Sequence, residues 1–257
     1  MFGLRNHRGS CWINATLQGL FRIPDVQDRF KNDQADKSNV VETCLQEIWT
    51  SKGEDGLIPL FQCIKTVTMP AGEDIGDSHE FLEYLCERVP FLDRLMRFKI
   101  ANTIKCNNTN CTYNDIRHDS LVEFSIVPTR PNQSVSDAIV DAVRPVLIPE
   151  WKCEKCGLKG CTKQFLLAGF PQVFVFHQTS VNTSVDYSAV LVLNSIKYAL
   201  FAVICYNGSH WWAYGRDLPP GKPWYELNDR TARMYHSNQF PLADRTMRLL
   251  MYYRLNE

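Results

Sequence analysis

The sequence predicts an α+β fold, because helical patterns occupy about its first hundred residues and strand patterns most of the remainder. Few helices alternate with strands, which disfavours a parallel α/β sheet. One helix opens with Asp77, a capping residue followed three positions later by Glu80. Apolar residues at helical spacing predict helices over 11–22, 38–50, 57–67 and 77–89.

The second half is rich in β-branched and aromatic residues, which favour strands. A short helix is expected at 134–143. The segments expected to form strands are 121–127, 165–168, 173–177, 191–193, 198–206, 210–216, 224–227 and 247–254.

Composition excludes several classes of function. Lys and Arg total 28, as do Asp and Glu, so the chain has no net charge. A charge balance of this kind indicates no surface for nucleic acid or membrane. No apolar run approaches the roughly 20 residues of a membrane span, and the polar first segment is unlike a signal peptide. We therefore expect a cytoplasmic or nuclear protein. Several of the ten cysteines lie in apolar segments and are interpreted as reduced core residues: Cys44, Cys63, Cys86 and Cys205.

Cys11 follows a Gly-Ser turn and precedes apolar residues at helical spacing. Ser10 can cap this helix, and the positive end of the helix dipole favours a thiolate. These are conditions for a cysteine nucleophile, and Asn6 can donate to a developing oxyanion. The alternative is a small buried cysteine that only packs at the start of a core helix.

Four cysteines form two close pairs, Cys106 with Cys111 and Cys153 with Cys156. Two such pairs can hold one ion in a tetrahedral zinc site, and four thiolates leave no open position for catalysis. The sequence therefore predicts structural zinc. A redox pair and disulfides are the competing interpretations, and Cys161 can replace one ligand.

A cysteine nucleophile needs a histidine base and a polar group that orients the imidazole. His210 follows an Asn-Gly-Ser turn, and the next expected strand ends in Asn228 and Asp229. Adjacent antiparallel strands would place Asn228 beside His210. The alternative is a plain aromatic core with a common turn, and His79 and His177 are interpreted as structural histidines.

Five segments resemble, in the same order and at comparable spacings, the motifs of ubiquitin-specific proteases. Segment 3–18 resembles the Cys box Gly-Leu-x-Asn-x-Gly-x-Thr-Cys-Tyr-x-Asn, and 77–82 resembles the Gln-Asp-Ala-x-Glu-Phe box. The two cysteine pairs are similar to the family's zinc ribbon. Segment 210–214 resembles the His box His-Tyr-x-Ala-Tyr, and 224–229 resembles its Trp-Tyr-x-Phe-Asp/Asn-Asp tail.

The resemblance implies a papain-like cysteine peptidase in a single domain spanning 1–257. A helical thumb would cover about 1–100, zinc-ribbon fingers about 101–165 and a β-rich palm about 166–257. It implies hydrolysis after the C-terminal glycine of ubiquitin through a thioester. The partners would be ubiquitin or ubiquitinated proteins, with no nucleic acid or membrane, and the chain would be monomeric.

The resemblance also implies a role for each matching residue. Cys11 would be the nucleophile and His210 the general base and then acid. Asn228 would orient the imidazole with Asp229 as neighbour or substitute, and Asn6 would donate to the oxyanion. The zinc ligands would be Cys106, Cys111, Cys153 and Cys156.

Four positions depart from the family pattern. Gly76 replaces the glutamine of the second box, Arg8 and Ser209 replace glycines, and Tyr206 stands where a histidine is common. These changes concern substrate binding more than the expected catalytic residues Cys11, His210 and Asn228. Two alternatives stay open: a peptidase for another ubiquitin-like modifier, and a catalytically silent ubiquitin-binding module.

Overall fold

The computed structural model describes residues 1–68, 76–130, 133–179, 185–235 and 246–255, without the side chains of 65–68 and 185. Helices dominate the first hundred residues and strands the remainder, which confirms the predicted α+β class. None of the described helices is both long and apolar enough to cross a membrane. The helices are α1 (Cys11–Leu20), α2 (Pro24–Lys31), α3 (Val40–Thr50), α4 (Leu57–Thr68), α5 (Ser78–Arg88), α6 (Pro90–Met96) and α7 (Val135–Val143).

All five predicted helices form, and α2 and α6 were not predicted. Each of these two short helices begins at a proline, Pro24 or Pro90, whose fixed φ suits the first helical position. Their few apolar residues give too short a periodic pattern to be recognised.

The strands form two larger sheets and one small pair. The four-stranded sheet has the order β2-β1-β6-β5, and the eight-stranded sheet has the order β13-β12-β11-β10-β14-β7-β3 with β9 beside β10. The strands are β1 (Phe98–Cys106), β2 (Asn114–Leu121), β3 (Phe124–Ile126), β4 (Gln133–Ser134), β5 (Val146–Lys152), β6 (Lys159–Leu167), β7 (Val173–Gln178), β8 (Val185–Asp186), β9 (Val190–Leu193), β10 (Ile196–Tyr206), β11 (Trp211–Gly215), β12 (Trp224–Asn228), β13 (Thr231–Tyr235) and β14 (Met247–Arg254).

Most of the four-stranded sheet was not predicted, since β1, β2 and β5 were all missed, and two of these strands are largely exposed. In β2 and β5 no residue is fully buried, so neither shows the apolar alternation of a half-buried strand. Antiparallel pairing of β2 with β1 and of β5 with β6 holds them instead. Backbone hydrogen bonds thus define β2 and β5, whose side chains give no pattern of burial.

The eight-stranded sheet is buried on both faces at its centre. In β7, Val173 and Val175 belong to the core formed with the helices, while Phe174 and Phe176 belong to the core on the opposite face. Every residue of α1 is buried, and this helix packs against β10, β11 and β12. The first residue of α1 therefore lies close to the end of the sheet where β11 begins.

Candidate active site and thiol cluster

Cys11 is the first residue of α1 and is buried. Ser10 occupies the N-cap position, but its hydroxyl accepts a hydrogen bond from the backbone N–H of His7 (2.8 Å) and not from α1. The predicted side-chain cap is therefore wrong. Ser10 accepts an α1 amide only through its backbone carbonyl, from the N–H of Asn14 (3.0 Å).

The turn before Cys11 passes through the left-handed region. Arg8 has φ +50° and Gly9 has φ +85°, so Arg8 keeps a conformation that glycine adopts more readily. The Cys11 thiol lies 3.7 Å from the carbonyl oxygen of Gly9 and donates to it. Within the described residues no hydrogen bond joins Cys11 to His210, so the thiol must turn to reach a base.

Burial raises the pKa of the Cys11 thiol above its ordinary value. The backbone N–H of Trp211 lowers this pKa by bonding to the sulfur, and the negative charge of Asp229 raises it again. Burial therefore outweighs the backbone hydrogen bonds that lower this pKa, and the tendency of the helix terminus to favour a thiolate does not prevail.

His210 lies immediately before β11, and Trp211 beside it contacts the Cys11 sulfur. The Asn207 side chain accepts the backbone N–H of His210 (2.9 Å) and so fixes the turn. Nε2 of His210 lies 2.8 Å from Oδ1 of Asn228. Because an amide oxygen only accepts hydrogen bonds, Nε2 carries the proton and Nδ1 is the basic nitrogen.

Asn228, and not Asp229, holds the imidazole of His210. The nearest Asp229 carboxylate oxygen lies 4.0 Å from Nε2, which is beyond hydrogen-bond length. Asp229 instead has φ +49° at the turn after β12, and this turns its carboxylate toward the start of the chain. The two neighbouring residues therefore have separate partners.

Asp229 binds the turn after β12 to the N-terminal segment of the chain. Oδ2 accepts from the Asn6 amide (2.9 Å) and Oδ1 from the Asn14 amide (2.7 Å). The backbone carbonyl of Asp229 accepts the N–H of Leu4 (2.8 Å). Asn14 was not among the predicted site residues, although it closes the Cys-box motif, and that position in the motif was the available signal.

Glycine is required at position 3 by close backbone packing. A Cβ there would lie 2.1 Å from the backbone oxygen of Arg230. Gly3 therefore lets the N-terminal segment lie against the turn that carries Asp229.

Gly76 packs closely against the large side chain of Trp12. A Cβ at position 76 would lie 2.8 Å from the indole of Trp12, which is fully buried beside Phe81. Trp12 stands where the family motif has tyrosine. The absence of a glutamine at position 76 is thus accompanied by a larger aromatic residue that fills the space.

The four predicted zinc ligands lie together at one end of the four-stranded sheet. Their sulfur atoms all lie within 4.8 Å of one another. The Sγ atoms of Cys106 and Cys156 are 3.7 Å apart, and those of Cys111 and Cys153 are 3.8 Å apart. Four sulfurs at about 2.3 Å from a central zinc lie about 3.8 Å apart, and a disulfide needs about 2.05 Å. The cluster therefore fits zinc and not disulfides.

Cys161 lies beside this cluster but outside it. It is fully buried inside β6 and pairs in register with Cys106 of β1. It lies inside the strand, two residues after β6 begins.

Comparison with known proteins identifies the fold. The chain matches the family model of ubiquitin carboxyl-terminal hydrolases over residues 2–252. It is similar to a chain of the SAGA DUB module Ubp8/Sgf11/Sus1/Sgf73 bound to monoubiquitin (TM-score 0.82, 15% identity, covering 100% of this chain and 69% of that chain). A yeast SAGA DUB module with an Sgf73 variant gives TM-score 0.82 and 16% identity, covering 100% of this chain and 69% of that chain.

The same module bound to ubiquitin aldehyde gives TM-score 0.79 and 16% identity, covering 100% of this chain and 70% of that chain. No curated protein matches the chain. The structural matches confirm the predicted fold, and the family model spans nearly the whole sequence. The protein therefore belongs to the ubiquitin carboxyl-terminal hydrolase family and is a cysteine-type deubiquitinase.

Proposed function

We propose that this deubiquitinase hydrolyses the peptide or isopeptide bond after the C-terminal glycine of ubiquitin, with Cys11 as nucleophile and His210 as general base. The observation that carries the proposal is the 2.8 Å contact between Nε2 of His210 and Oδ1 of Asn228. This contact leaves Nδ1 of His210 to accept a proton. His210 directly precedes Trp211, whose backbone N–H bonds to the Cys11 sulfur.

The proposed reaction has two stages. Nδ1 of His210 takes the thiol proton, and the thiolate attacks the carbonyl carbon of the terminal glycine. The tetrahedral intermediate collapses to a thioester while His210 returns the proton to the leaving amine. His210 then deprotonates a water molecule that cleaves the thioester, which releases the ubiquitin carboxylate and restores the thiol.

The neutral Asn228 orients the imidazole but adds no charge to stabilise an imidazolium. The Asp229 carboxylate, 4.0 Å from Nε2, supplies the nearest negative charge. Because the resting thiol points to Gly9, substrate binding must align it with Nδ1. Apo geometries of catalytic pairs commonly tighten in this way when substrate binds.

Asn6 is the proposed oxyanion donor. One of its amide hydrogens goes to Asp229 and its oxygen accepts the N–H of Gly9 (3.1 Å), which leaves its second hydrogen for the substrate. Loss of one such donor typically lowers the rate by about 10²–10³-fold. Asn6→Ala tests this role, with kcat falling and substrate affinity retained.

The main experiment uses ubiquitin carrying a thiol-reactive group at its C-terminus. We expect one covalent adduct per chain, lost in Cys11→Ala. Cys44→Ala is the matched control, because burial raises the pKa of Cys44 to about 11 and makes it unreactive. Absence of an adduct, with binding retained, would support the silent ubiquitin-binding module.

One observation favours a different ubiquitin-like modifier as the second candidate. Asn207 and His210 close a tight turn between β10 and β11, and Tyr206 donates to the carbonyl of Gly208 (2.7 Å). This turn leaves little chain to cover a substrate tail. Parallel reactions with probes of other modifiers decide the matter, and an adduct with only one of those would overturn ubiquitin as substrate.

We also propose that Cys106, Cys111, Cys153 and Cys156 hold a structural zinc ion. Their sulfur spacing supports this, and the zinc would hold together the loops that follow β1 and β5. Removal of one ligand by Cys153→Ser should reduce the zinc content by one per chain. Cys161→Ala, which alters the neighbouring cysteine, should leave it unchanged.

We further propose that the chain acts as a monomer in the cytoplasm or nucleus. The cysteines within apolar segments support a reducing compartment. Sedimentation of the purified chain and fractionation of cells that express it test the two parts separately.

A further inference from the structure

A second cluster of metal-ligating side chains lies away from Cys11 and from the four thiols. It consists of His79, Glu123 and His177, whose ligand atoms all lie within 4.8 Å of one another. His79 is in the first turn of α5, Glu123 directly precedes β3, and His177 is near the end of β7. Three separate parts of the chain therefore converge on one point.

The sheet and the helix place these side chains together. Strands β3 and β7 are parallel neighbours with Ser125 opposite His177, so Glu123, two residues earlier, points to the same face as His177. That face is the one from which Val173 and Val175 enter the helical core. The start of α5 lies over it, and the rings of His79 and His177 stack with centroids 4.3 Å apart.

The Glu123 carboxylate lies between the two imidazoles. Nδ1 of His79 is 2.7 Å from Oε2, and Nδ1 of His177 is 3.0 Å from Oε1. Two ligand atoms bound to one tetrahedral zinc at about 2.0–2.1 Å lie about 3.3–3.4 Å apart. The nitrogen and oxygen atoms lie a few tenths of an ångström closer than that, so a small outward shift would let them share one ion.

Hydrogen bonding satisfies only part of this cluster, the contact between Nδ1 of His177 and Oε1 of Glu123. The side chain of Glu123 is only 6% exposed. Its Oε2 and the Nδ1 of His79 are both buried without a properly directed hydrogen bond, although they face each other. A buried carboxylate oxygen and a buried ring nitrogen that lack partners are costly, and an ion between them would satisfy both.

A cavity that can hold water adjoins the cluster. A cavity of about 310 Å³ is lined by His79 and Glu123 and by the acidic side chains of Glu83 and Glu87. Arg97, the cation on its wall, is paired with Asp93 (2.7 Å). The cavity can thus supply water as a fourth ligand in a region of negative charge.

We propose that His79, Glu123 and His177 form a second metal site that binds a divalent transition ion of zinc's class. Two imidazoles and one carboxylate are a ligand set that zinc uses in proteins, with water completing the shell. The bound ion joins the first turn of α5 to strands β3 and β7. It therefore fixes the helical half of the molecule against the eight-stranded sheet.

Metal stoichiometry tests the proposal. Protein freed of metal by a chelator under reducing conditions is titrated with Zn²⁺ and then analysed for bound metal. We expect two ions per chain in the unchanged protein and one in Glu123→Gln. His118→Gln changes an exposed histidine of β2 and is the matched control, with two ions expected.

Cobalt assigns each ion to its site. Co²⁺ bound by four thiolates absorbs strongly in the near ultraviolet through sulfur-to-metal charge transfer, whereas Co²⁺ in the His79–Glu123–His177 site shows only weak visible bands. We expect Glu123→Gln to lose the weak bands and keep the strong absorption, and Cys153→Ser to do the reverse. His177→Gln is a second variant in case Glu123→Gln fails to fold, as judged by circular dichroism.

Two results would overturn the proposal. One is a folded protein that binds no metal beyond the four-thiol site. The other is a second ion that Glu123→Gln and His177→Gln both retain. Either result would identify the cluster as a metal-free ion pair in which Glu123 is shared by two histidines.

Discussion

The two groups of thiols in this protein are assembled in opposite ways. The four-cysteine cluster is built at the end of a single sheet, from pairs separated by only a few residues in sequence. The Cys11 site is closed by the contact of Asn6 with Asp229, which lie 223 residues apart. Local spacing therefore forms the first group, and closure of the whole chain forms the second.

The difference extends to the state of each sulfur. The clustered thiols lie within reach of one another and fit a shared ion. Cys11 lies outside that cluster, burial raises its pKa, and its proposed base, His210, comes from a distant part of the chain. We therefore expect the cluster to contribute to stability and Cys11 to contribute to chemistry.

The largest expected effect separates these contributions. Cys11→Ala should lower kcat by about 10⁴-fold or more, as loss of a nucleophile does, and should change the free energy of unfolding by less than about 1 kcal/mol. Cys153→Ser should lower the unfolding temperature and release zinc. Ubiquitin hydrolysis and thermal unfolding of both variants measure this, and equal losses of stability would contradict the comparison.

The next effect separates the two residues after β12. Asn228→Ala should lower kcat on the order of 10²-fold, because His210 loses the partner that fixes its tautomer. Asp229→Asn should have a smaller effect, since it disturbs Asn6 and Asn14 but leaves the His210 contact intact. Single-turnover rates distinguish them, and a larger loss in Asp229→Asn would make Asp229 the orienting residue.

The sequence predicted the individual parts of the Cys11 site better than their connections. Cys11, His210 and Asn228 could each be recognised from a turn, a helix start or a strand end. The bridge from Asp229 to Asn14 could not, because it depends on a left-handed turn and on contacts between the two ends of the chain. The raised pKa of Cys11 was missed for the same reason, since burial depends on tertiary packing.

The four-cysteine cluster shows the reverse. The convergence of its four cysteines could be predicted from spacing alone, while most of the sheet that carries them could not. Strand β2 has no buried residue and gives no apolar alternation, so only its pairing with β1 defines it. Metal-ligand spacing is thus a more reliable signal here than hydrophobic periodicity.

A moderate effect on stability tests the close packing of Gly76 against Trp12, the residue after Cys11. Gly76→Gln should destabilise the protein by about 1–3 kcal/mol, because its Cβ would lie 2.8 Å from the Trp12 indole. Adding Trp12→Tyr should recover part of this loss, with a coupling of at least about 0.5 kcal/mol. Denaturant unfolding of both single variants and the double variant measures the coupling, and strict additivity would show that the two positions are independent.

The smallest effect concerns ionisation of Cys11 itself. Only the thiolate reacts with iodoacetamide, and burial raises the pKa of Cys11 above its ordinary value. The alkylation rate should therefore rise with pH through a midpoint higher than that of a short peptide of the same sequence. Peptide mapping after brief labelling follows this cysteine separately from the others.

The opposite result would have a specific meaning. A midpoint below that of the peptide would show that Cys11 and His210 already form a thiolate–imidazolium pair without substrate. A midpoint above it, together with rapid hydrolysis at neutral pH, would mean that the thiol is activated only after ubiquitin turns it from Gly9 toward His210. Activation of Cys11 would then depend on binding, whereas the four clustered thiols already lie at the spacing that a zinc ion requires.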